Sequence, residues 1–103
     1  MLIVSTEEIA GKTISETIGI ARGSTVRARN LGRDIFAGLK NLVGGEISEY
    51  TKLLADAREE ALSRMILDAD RMGAEAVVNV RFTTSTVMQG CSEILAFGTA
   101  VKL

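Results

Sequence analysis

The sequence predicts an α+β protein of β-α-β-β order, in which an antiparallel sheet carries one long helix, plus a short preceding helix, packed on one face. Three observations predict this fold class. Two stretches alternate apolar and polar residues with a period of two, and a third repeats its apolar residues every three or four positions. The 103-residue length suits a single domain, 1–103. Laying a helix on one sheet is the simplest way to bury both apolar faces.

The first long strand is predicted over residues 13–21, where three isoleucines share one face. The Arg22-Gly23-Ser24 stretch is predicted to form a turn or a bulge, after which the extended chain continues towards Arg29. Residues 2–4 are predicted to form a short edge strand.

Two helices are predicted next. The first begins at an N-cap, Asn30, and ends before Gly44-Gly45. The second, longer helix ends at Gly73, the expected C′ residue. Glu60 and Arg64 on it form an i,i+4 pair worth roughly 0.2–0.5 kcal/mol. Its apolar stripe consists of Ile47, Tyr50, Leu54, Ala57, Ala61, Met65, Ala69 and Met72.

Two strands are predicted after the long helix. Residues 76–82 return to a period of two, so that Val78, Val80 and Phe82 would share a face. A Thr/Ser-rich connection is predicted over 83–92, and the last strand over 93–103. The large side chains of that strand, among them Leu95, Phe97 and Val101, are expected to cover the core under the helix. Its small face, Ala96-Gly98-Ala100, is expected to lie against another subunit.

Composition excludes several classes of site. The chain has no His and one Cys, so Ser-His and Cys-His catalysis, an HExxH motif and an intramolecular disulfide are all excluded. Neither a GxxxxGK[ST] nor a GxGxxG motif occurs, which leaves ATP and NAD sites unsupported. Hydrophobic residues make up 47% of the chain, a surplus that predicts a homo-oligomer.

Location and partners follow from the same features. The first ten residues contain no basic residue, and no apolar run approaches the ~18 residues of a membrane span, so we expect a cytoplasmic protein without a membrane partner. The net charge of -1 argues against nucleic acid as a partner. The arginines Arg22, Arg27, Arg29 and Arg33 have no aromatic residues between them for base stacking, and are expected to pair with the acidic helix face of a neighbouring subunit.

Several blocks of sequence resemble the YbjQ-like family of small, uncharacterised bacterial and archaeal proteins. The resemblance begins with Thr17-Ile18-Gly19 and extends over nearly the whole chain. Its remaining blocks are Gly44-Gly45-Glu46-Ile47-Ser48-Glu49-Tyr50-Thr51, Ala57-Arg58-Glu59-Glu60-Ala61, Gly73-Ala74-Glu75-Ala76-Val77-Val78 and Glu93-Ile94-Leu95-Ala96-Phe97-Gly98-Thr99-Ala100-Val101.

The resemblance implies a dodecin-type fold, a ring-shaped pentamer and a proposed heavy-metal-binding role, and it brings no enzymatic activity with it. The chain departs from the family pattern at three positions. Asn79 stands where Gly is common, Thr83 where an acid is common, and Phe97 where Tyr is common. The last two departures remove two oxygen ligands.

Cys91 and Glu93 are the candidate metal ligands. Cys91 is the one thiol in the chain, and Glu93 falls on the same side of an extended strand. Because closed zinc sites take four ligands, symmetry-related copies would have to supply the rest. The alternative for Cys91 is a small buried hydrophobe near a loop.

Five other residues admit a structural explanation. Glu46 and Glu49 suit the positive end of the long helix, and Tyr50 suits packing. Arg81 and Glu16 interrupt apolar patterns and are expected to pair, across strands or between subunits.

The sequence therefore predicts a non-enzymatic homo-oligomer, a pentameric ring that binds a heavy-metal ion at its subunit interfaces. The alternative is a ring that binds or stores a small organic ligand without metal. No cofactor is identified, and no catalytic residue is assigned.

Overall fold

A computed structural model describes residues 1–27, 47–88 and 91–103. Its elements are β1 (Leu2–Ile3), β2 (Glu16–Arg27), α1 (Ile47–Arg71), β3 (Ala76–Met88) and β4 (Cys91–Lys102). The predicted α+β class and the β-α-β-β order are confirmed. The short helix predicted after Asn30 lies outside the described residues. No helix in the described ranges combines the length and apolarity needed to cross a membrane.

The four strands form one sheet in the order β1-β3-β4-β2. β4 is antiparallel to both neighbours, β2 and β3. The short edge strand predicted at the N-terminus is present as β1, but it runs parallel to β3, so the prediction of a purely antiparallel sheet is wrong at this edge. A parallel arrangement is available to β1 because no hairpin joins it to β3.

β2 is continuous through Arg22, Gly23 and Ser24, all of which pair with β4, so the turn or bulge predicted there is wrong. The register shift lies earlier, between Thr17 and Gly19. Glycine is needed at position 23 because the helix α1 packs closely against it, and not because the chain turns there. A Cβ at this position would lie against the backbone of α1, 2.5 Å from the carbonyl oxygen of Ala61.

α1 ends as its sequence predicts. Gly73 has a φ of 80°. The amide of Gly73 donates to the Asp70 carbonyl at 3.0 Å and that of Ala74 donates to the Ala69 carbonyl at 3.1 Å, which are the two hydrogen bonds of a Schellman cap. Ala69 and Ala74 also belong to one buried cluster, which supplies the apolar contact usual for this cap.

The connection predicted over 83–92 is wrong. β3 continues to Met88 and β4 begins at Cys91, so that only residues 89 and 90 separate the two strands. Residues 83–86 are exposed, but each pairs with a residue of β4. Threonine is β-branched and suits a strand as well as it suits a loop, which is why composition alone misplaced this segment.

A bulge in β3 changes which of its side chains share a face. The register shifts between Val78 and Arg81, and Asn79 has a φ of 59°. Asparagine is among the few residues other than glycine that tolerate this conformation. Val80 packs against the cluster beneath α1, whereas Val78 belongs to the cluster on the opposite side. The prediction that these two valines share a face is therefore wrong.

The covered face of the sheet, the one beneath α1, is built from small residues. Ala57, Ala61, Met65 and Ala69 of α1 are fully buried. They pack on a layer that includes Ala21, Val77, Ile94, Ala96 and Ala100. The prediction that the large side chains of the last strand lie under the helix is wrong. The expectation that its small face, Ala96-Gly98-Ala100, lies against another subunit is wrong as well, because Ala96 and Ala100 are fully buried beneath α1.

The open face of the sheet is the one opposite α1. At one end, the N-terminal segment covers it: Ile9 packs with Ala76, Val78 and Val101. Beyond that segment, the face consists of Ile20, Arg22, Ser24 and Val26 of β2, Glu93, Leu95, Phe97 and Thr99 of β4, and Arg81, Thr83 and Ser85 of β3.

Candidate functional site

The structure places the two candidate metal ligands at the start of β4. Cys91 is the first residue of that strand, and its backbone pairs with Met88; its side chain lies outside the described residues. Glu93 is half-buried on the open face, opposite Val26 of β2 and Ser85 of β3. Neither cross-strand neighbour of Glu93 carries a second carboxylate, so Glu93 is the one acidic side chain in this row of the sheet.

A complete metal centre is not assembled within the described part of the chain. Over those residues, no group of three or more Cys, Asp or Glu side chains comes close enough to hold an ion. A heavy-metal site that used Glu93 would therefore need ligands from outside these ranges or from another chain.

A pocket of about 390 Å³ lies along the free edge of β2, and we call it the β2-edge pocket. Its lining carries three guanidinium groups, from Arg22, Arg64 and Arg71, against one carboxylate, from Asp68. The remaining lining residues are Gly23, Ser24, Leu67 and Leu95. The balance of charge in this pocket is positive.

Two helix side chains satisfy backbone groups along this edge. The amide of Arg22 donates to Asp68 Oδ2 at 3.0 Å, and Arg64 Nη1 donates to the Ser24 carbonyl at 2.5 Å. Arg64 Nη2 also donates to Glu60 Oε1 at 2.6 Å, which confirms the i,i+4 pair that the sequence predicts. These bonds hold Arg64 in place and occupy the middle of an edge strand that would otherwise present free backbone groups.

A second pocket, of about 380 Å³, lies at the opposite edge of the sheet, and we call it the N-terminal pocket. It is lined by Ser5, Thr6, Glu7, Glu8, Asn79 and Arg81. Arg81 Nη1 donates to the Ser5 carbonyl at 2.7 Å, and the Asn79 amide donates to the Thr6 carbonyl at 2.9 Å. The bulge in β3 thus fixes the path of the N-terminal segment.

The cross-strand pairing expected between Arg81 and Glu16 is wrong within one chain. Glu16 lies opposite Lys102, and Arg81 lies opposite Phe97. Arg81 is instead bonded to the N-terminal segment and to Asn79 Oδ1, the latter at 3.3 Å. Glu16 lies on β2 and Arg81 lies on β3, and β4 separates these two strands in the sheet. The periodicity of the sequence does not reveal this strand order.

The other sequence candidates are only partly visible. Glu46 and the arginines Arg29 and Arg33 lie outside the described residues, as do the side chains of Arg27, Glu49 and Tyr50. Sequence reasoning missed Asp68 and the contact it makes with β2. The sequence does show that Asp68 lies beside the apolar stripe of the helix, one turn after Arg64. It gives no indication that Asp68 contacts a strand residue 46 positions earlier in the chain.

Comparison with known proteins gives a consistent family. A family model described as "Putative heavy-metal-binding", that of the YbjQ family, matches residues 1–103. A UPF0145 protein of Methanosarcina acetivorans is 60% identical over all of this chain and 97% of its own length. Relatives of the same name from Photobacterium profundum and Archaeoglobus fulgidus are 58% and 57% identical over the whole chain and over 100% and 95% of their own lengths.

A solved structure supports the fold. A protein of unknown function from Pediococcus pentosaceus, which belongs to the DUF74 family, matches with a TM-score of 0.65, covering 100% of this chain and 97% of its own. At 16% identity, this likeness concerns the fold alone. The full-length family match and the relatives at more than half identity agree with each other, and the chain belongs to the YbjQ family.

Proposed function

We propose that the chain is a non-enzymatic, cytoplasmic module that assembles with copies of itself into a ring, a pentamer, and binds a heavy-metal ion at its subunit interfaces. The observation that carries the assembly is the open face. Ile20 is 67% exposed and Val26 is 57% exposed on the uncovered end of this face, on an edge strand. Large apolar side chains concentrated on one uncovered sheet face are typical of an interaction surface. The subunit number rests on the resemblance to the YbjQ-like family.

The metal part of the proposal joins the family description to the chemistry of β4. Cys91 and Glu93 offer a soft thiolate and a hard carboxylate at the start of this strand. The described part of one chain holds no complete centre, and in this proposal a closed four-coordinate site draws its other ligands from copies of the chain rather than from residues outside the described ranges. A ring supplies them because symmetry brings the same position of each subunit to equivalent places around one axis.

Assembly is tested by native mass spectrometry and sedimentation velocity on the purified protein over a range of concentrations. We expect a single closed species, with five subunits, at micromolar concentration. A monomer at tens of micromolar would overturn the assembly, and a different closed number would overturn the pentamer alone.

Metal binding is tested by elemental analysis of protein purified without chelators. We expect bound transition metal in the wild type, its loss in Cys91→Ser, and reduced content in Glu93→Gln. Glu59→Gln, which removes an exposed carboxylate from α1, is the matched control and should retain the metal. Unchanged metal content in Cys91→Ser would remove Cys91 from the site. An assembled wild type that carries a copurified organic compound and no metal would favour the small-ligand alternative.

A further inference from the structure

The two pockets lie at opposite edges of the same sheet and carry opposite charge. The β2-edge pocket is flanked by Arg22 and Arg71, both exposed. The N-terminal pocket is flanked by Glu7 and Glu8, also exposed. Among the described residues, none of these four side chains has a hydrogen-bonding or ion-pair partner. Each edge thus presents charge that the described part of its own subunit leaves unpaired.

The two pockets also lie at the same height along the strands. Arg22 of β2 is directly opposite Phe97 of β4, and Phe97 is directly opposite Arg81 of β3. Arg81 in turn bonds the N-terminal segment at Ser5 and helps to line its pocket. One cross-strand row therefore runs from the basic pocket to the acidic one. A second subunit placed beside the first, displaced along this row, would set unlike charges against each other.

Apolar side chains accompany the charges at both edges. At the β2 edge, Ile20 is 67% exposed and Leu67 is 49% exposed. At the N-terminal edge, Met1 is 48% exposed and Leu2 is 40% exposed. Apolar contact beside complementary charge is the usual composition of a specific interface.

We propose that each subunit inserts Glu7 and Glu8 of its N-terminal pocket into the β2-edge pocket of a second copy, where they pair with Arg22 and Arg71. This contact joins two different surfaces, so it repeats head to tail and closes into a ring when the rotation between subunits allows it. The inference rests on the proposed self-assembly and names its contact. It also replaces the acidic helix face, expected from the sequence, with the N-terminal segment as the partner of Arg22.

The contact is made by side chains and does not extend the sheet. The Arg22 amide and the Ser24 carbonyl, which a strand added at this edge would need, are already bonded to Asp68 and Arg64. A docking carboxylate needs only the guanidinium groups, which remain accessible.

Charge reversal tests the contact by sedimentation velocity and native mass spectrometry. One variant carries Arg22→Glu and Arg71→Glu, a second carries Glu7→Arg and Glu8→Arg, and a third carries all four substitutions. We expect subunit association to weaken at least about 100-fold in each two-site variant, because like charges then face each other. The four-site variant should regain wild-type association, since every pair is again unlike.

The matched control is Asp56→Arg with Glu59→Arg, which changes the net charge as much as the Glu7/Glu8 variant does but on an exposed part of α1. It should assemble like the wild type, and circular dichroism should show that all variants fold. Wild-type association in either two-site variant would overturn the contact while leaving self-assembly intact. A folded four-site variant that stays dissociated would also overturn it. A wild-type monomer would instead remove the proposed assembly itself.

Discussion

The covered and open faces of the sheet differ in the size of the side chains that they carry. Beneath α1, the sheet presents mainly alanines and Gly23, together with Val77 and Ile94, and the helix packs Ala57, Ala61 and Ala69 against them. On the other side, the same strands present isoleucine, valine, phenylalanine and arginine, and only the end near Ile9 is covered. A prediction that places the larger side chains in the core of the subunit therefore chooses the open face, whereas α1 covers the other one.

The difference teaches what small residues accomplish in this chain. They allow a close approach between two layers that are continuous along the chain and always present together. The larger residues lie on the face that the proposed assembly would cover. Substitutions on the two faces should therefore separate the stability of the subunit from its association.

The largest effect is expected from Gly23→Ala. The added Cβ would collide with the backbone of α1, at 2.5 Å from the Ala61 oxygen and 2.6 Å from the Arg64 carbonyl carbon. Backbone atoms cannot move aside as a flexible side chain does, so we expect a loss of about 3 kcal/mol in the free energy of unfolding, measured by chemical denaturation. Ser24→Ala, one residue along the strand, should cost less than about 1 kcal/mol. Near-equal losses would show that the close approach is not limiting.

Met65→Ala should follow closely. Met65 is fully buried between α1 and the sheet. Its truncation leaves a cavity among alanines that are too short to fill it, so we expect a loss of about 2–3 kcal/mol in the free energy of unfolding. Leu54→Ala removes a similar volume from a side chain on the same helix that is 38% exposed, and should cost less. Denaturation at one fixed protein concentration compares the two, because assembly adds to apparent stability.

A smaller effect is expected at the bulge. Asn79→Ala places a residue with a Cβ and no local polar group at a φ of 59°. Asn79→Gly loses the same side-chain hydrogen bond to Arg81 but relieves the backbone. We expect the alanine variant to be about 1 kcal/mol less stable than the glycine variant in thermal or chemical denaturation. A reversed order would contradict the argument from backbone conformation.

The smallest effect on the subunit is expected from Ile20→Ser. Ile20 is 67% exposed, so the free energy of unfolding of dissociated subunits should change by less than about 0.5 kcal/mol. Association, measured by sedimentation, should weaken because an apolar contact at the edge is lost. Ile94→Ser makes the same change on the covered face, where the side chain is 5% exposed, and should cost at least about 2 kcal/mol of subunit stability. Equal stability losses at the two sites would erase the distinction between the faces.

The sequence predicts the elements of this fold better than it predicts their faces. The helical stripe and its Gly73 cap are local signals. The cap is confirmed, and so is the part of the stripe from Ala57 to Ala69, whose members are fully buried. Which face α1 covers depends on Gly23 and on the bulge at Asn79, which inverts the face assignment within β3. A single extra residue in a strand has this consequence, and a period of two does not reveal it.

At the candidate site, too, local features are predicted from the sequence and tertiary contacts are not. The Glu60–Arg64 pair is predicted because four residues separate its members. The bond from the Arg22 amide to Asp68 is not predicted, because 46 residues separate them and only the tertiary packing of α1 beside β2 brings them together. Residue chemistry points to Cys91 and Glu93, whereas the charged pockets at the two edges emerge only once the strand order is known.

The bonds of Asp68 and Arg64 to β2 have a consequence for biosynthesis. β2 precedes α1 in the chain and leaves the ribosome first, so for a time this twelve-residue strand is exposed without the side chains that later bond its edge. During that interval, it can pair with any other exposed strand and begin to aggregate. Docking of α1 therefore protects the nascent chain from aggregation through the edge of β2, in addition to forming the core.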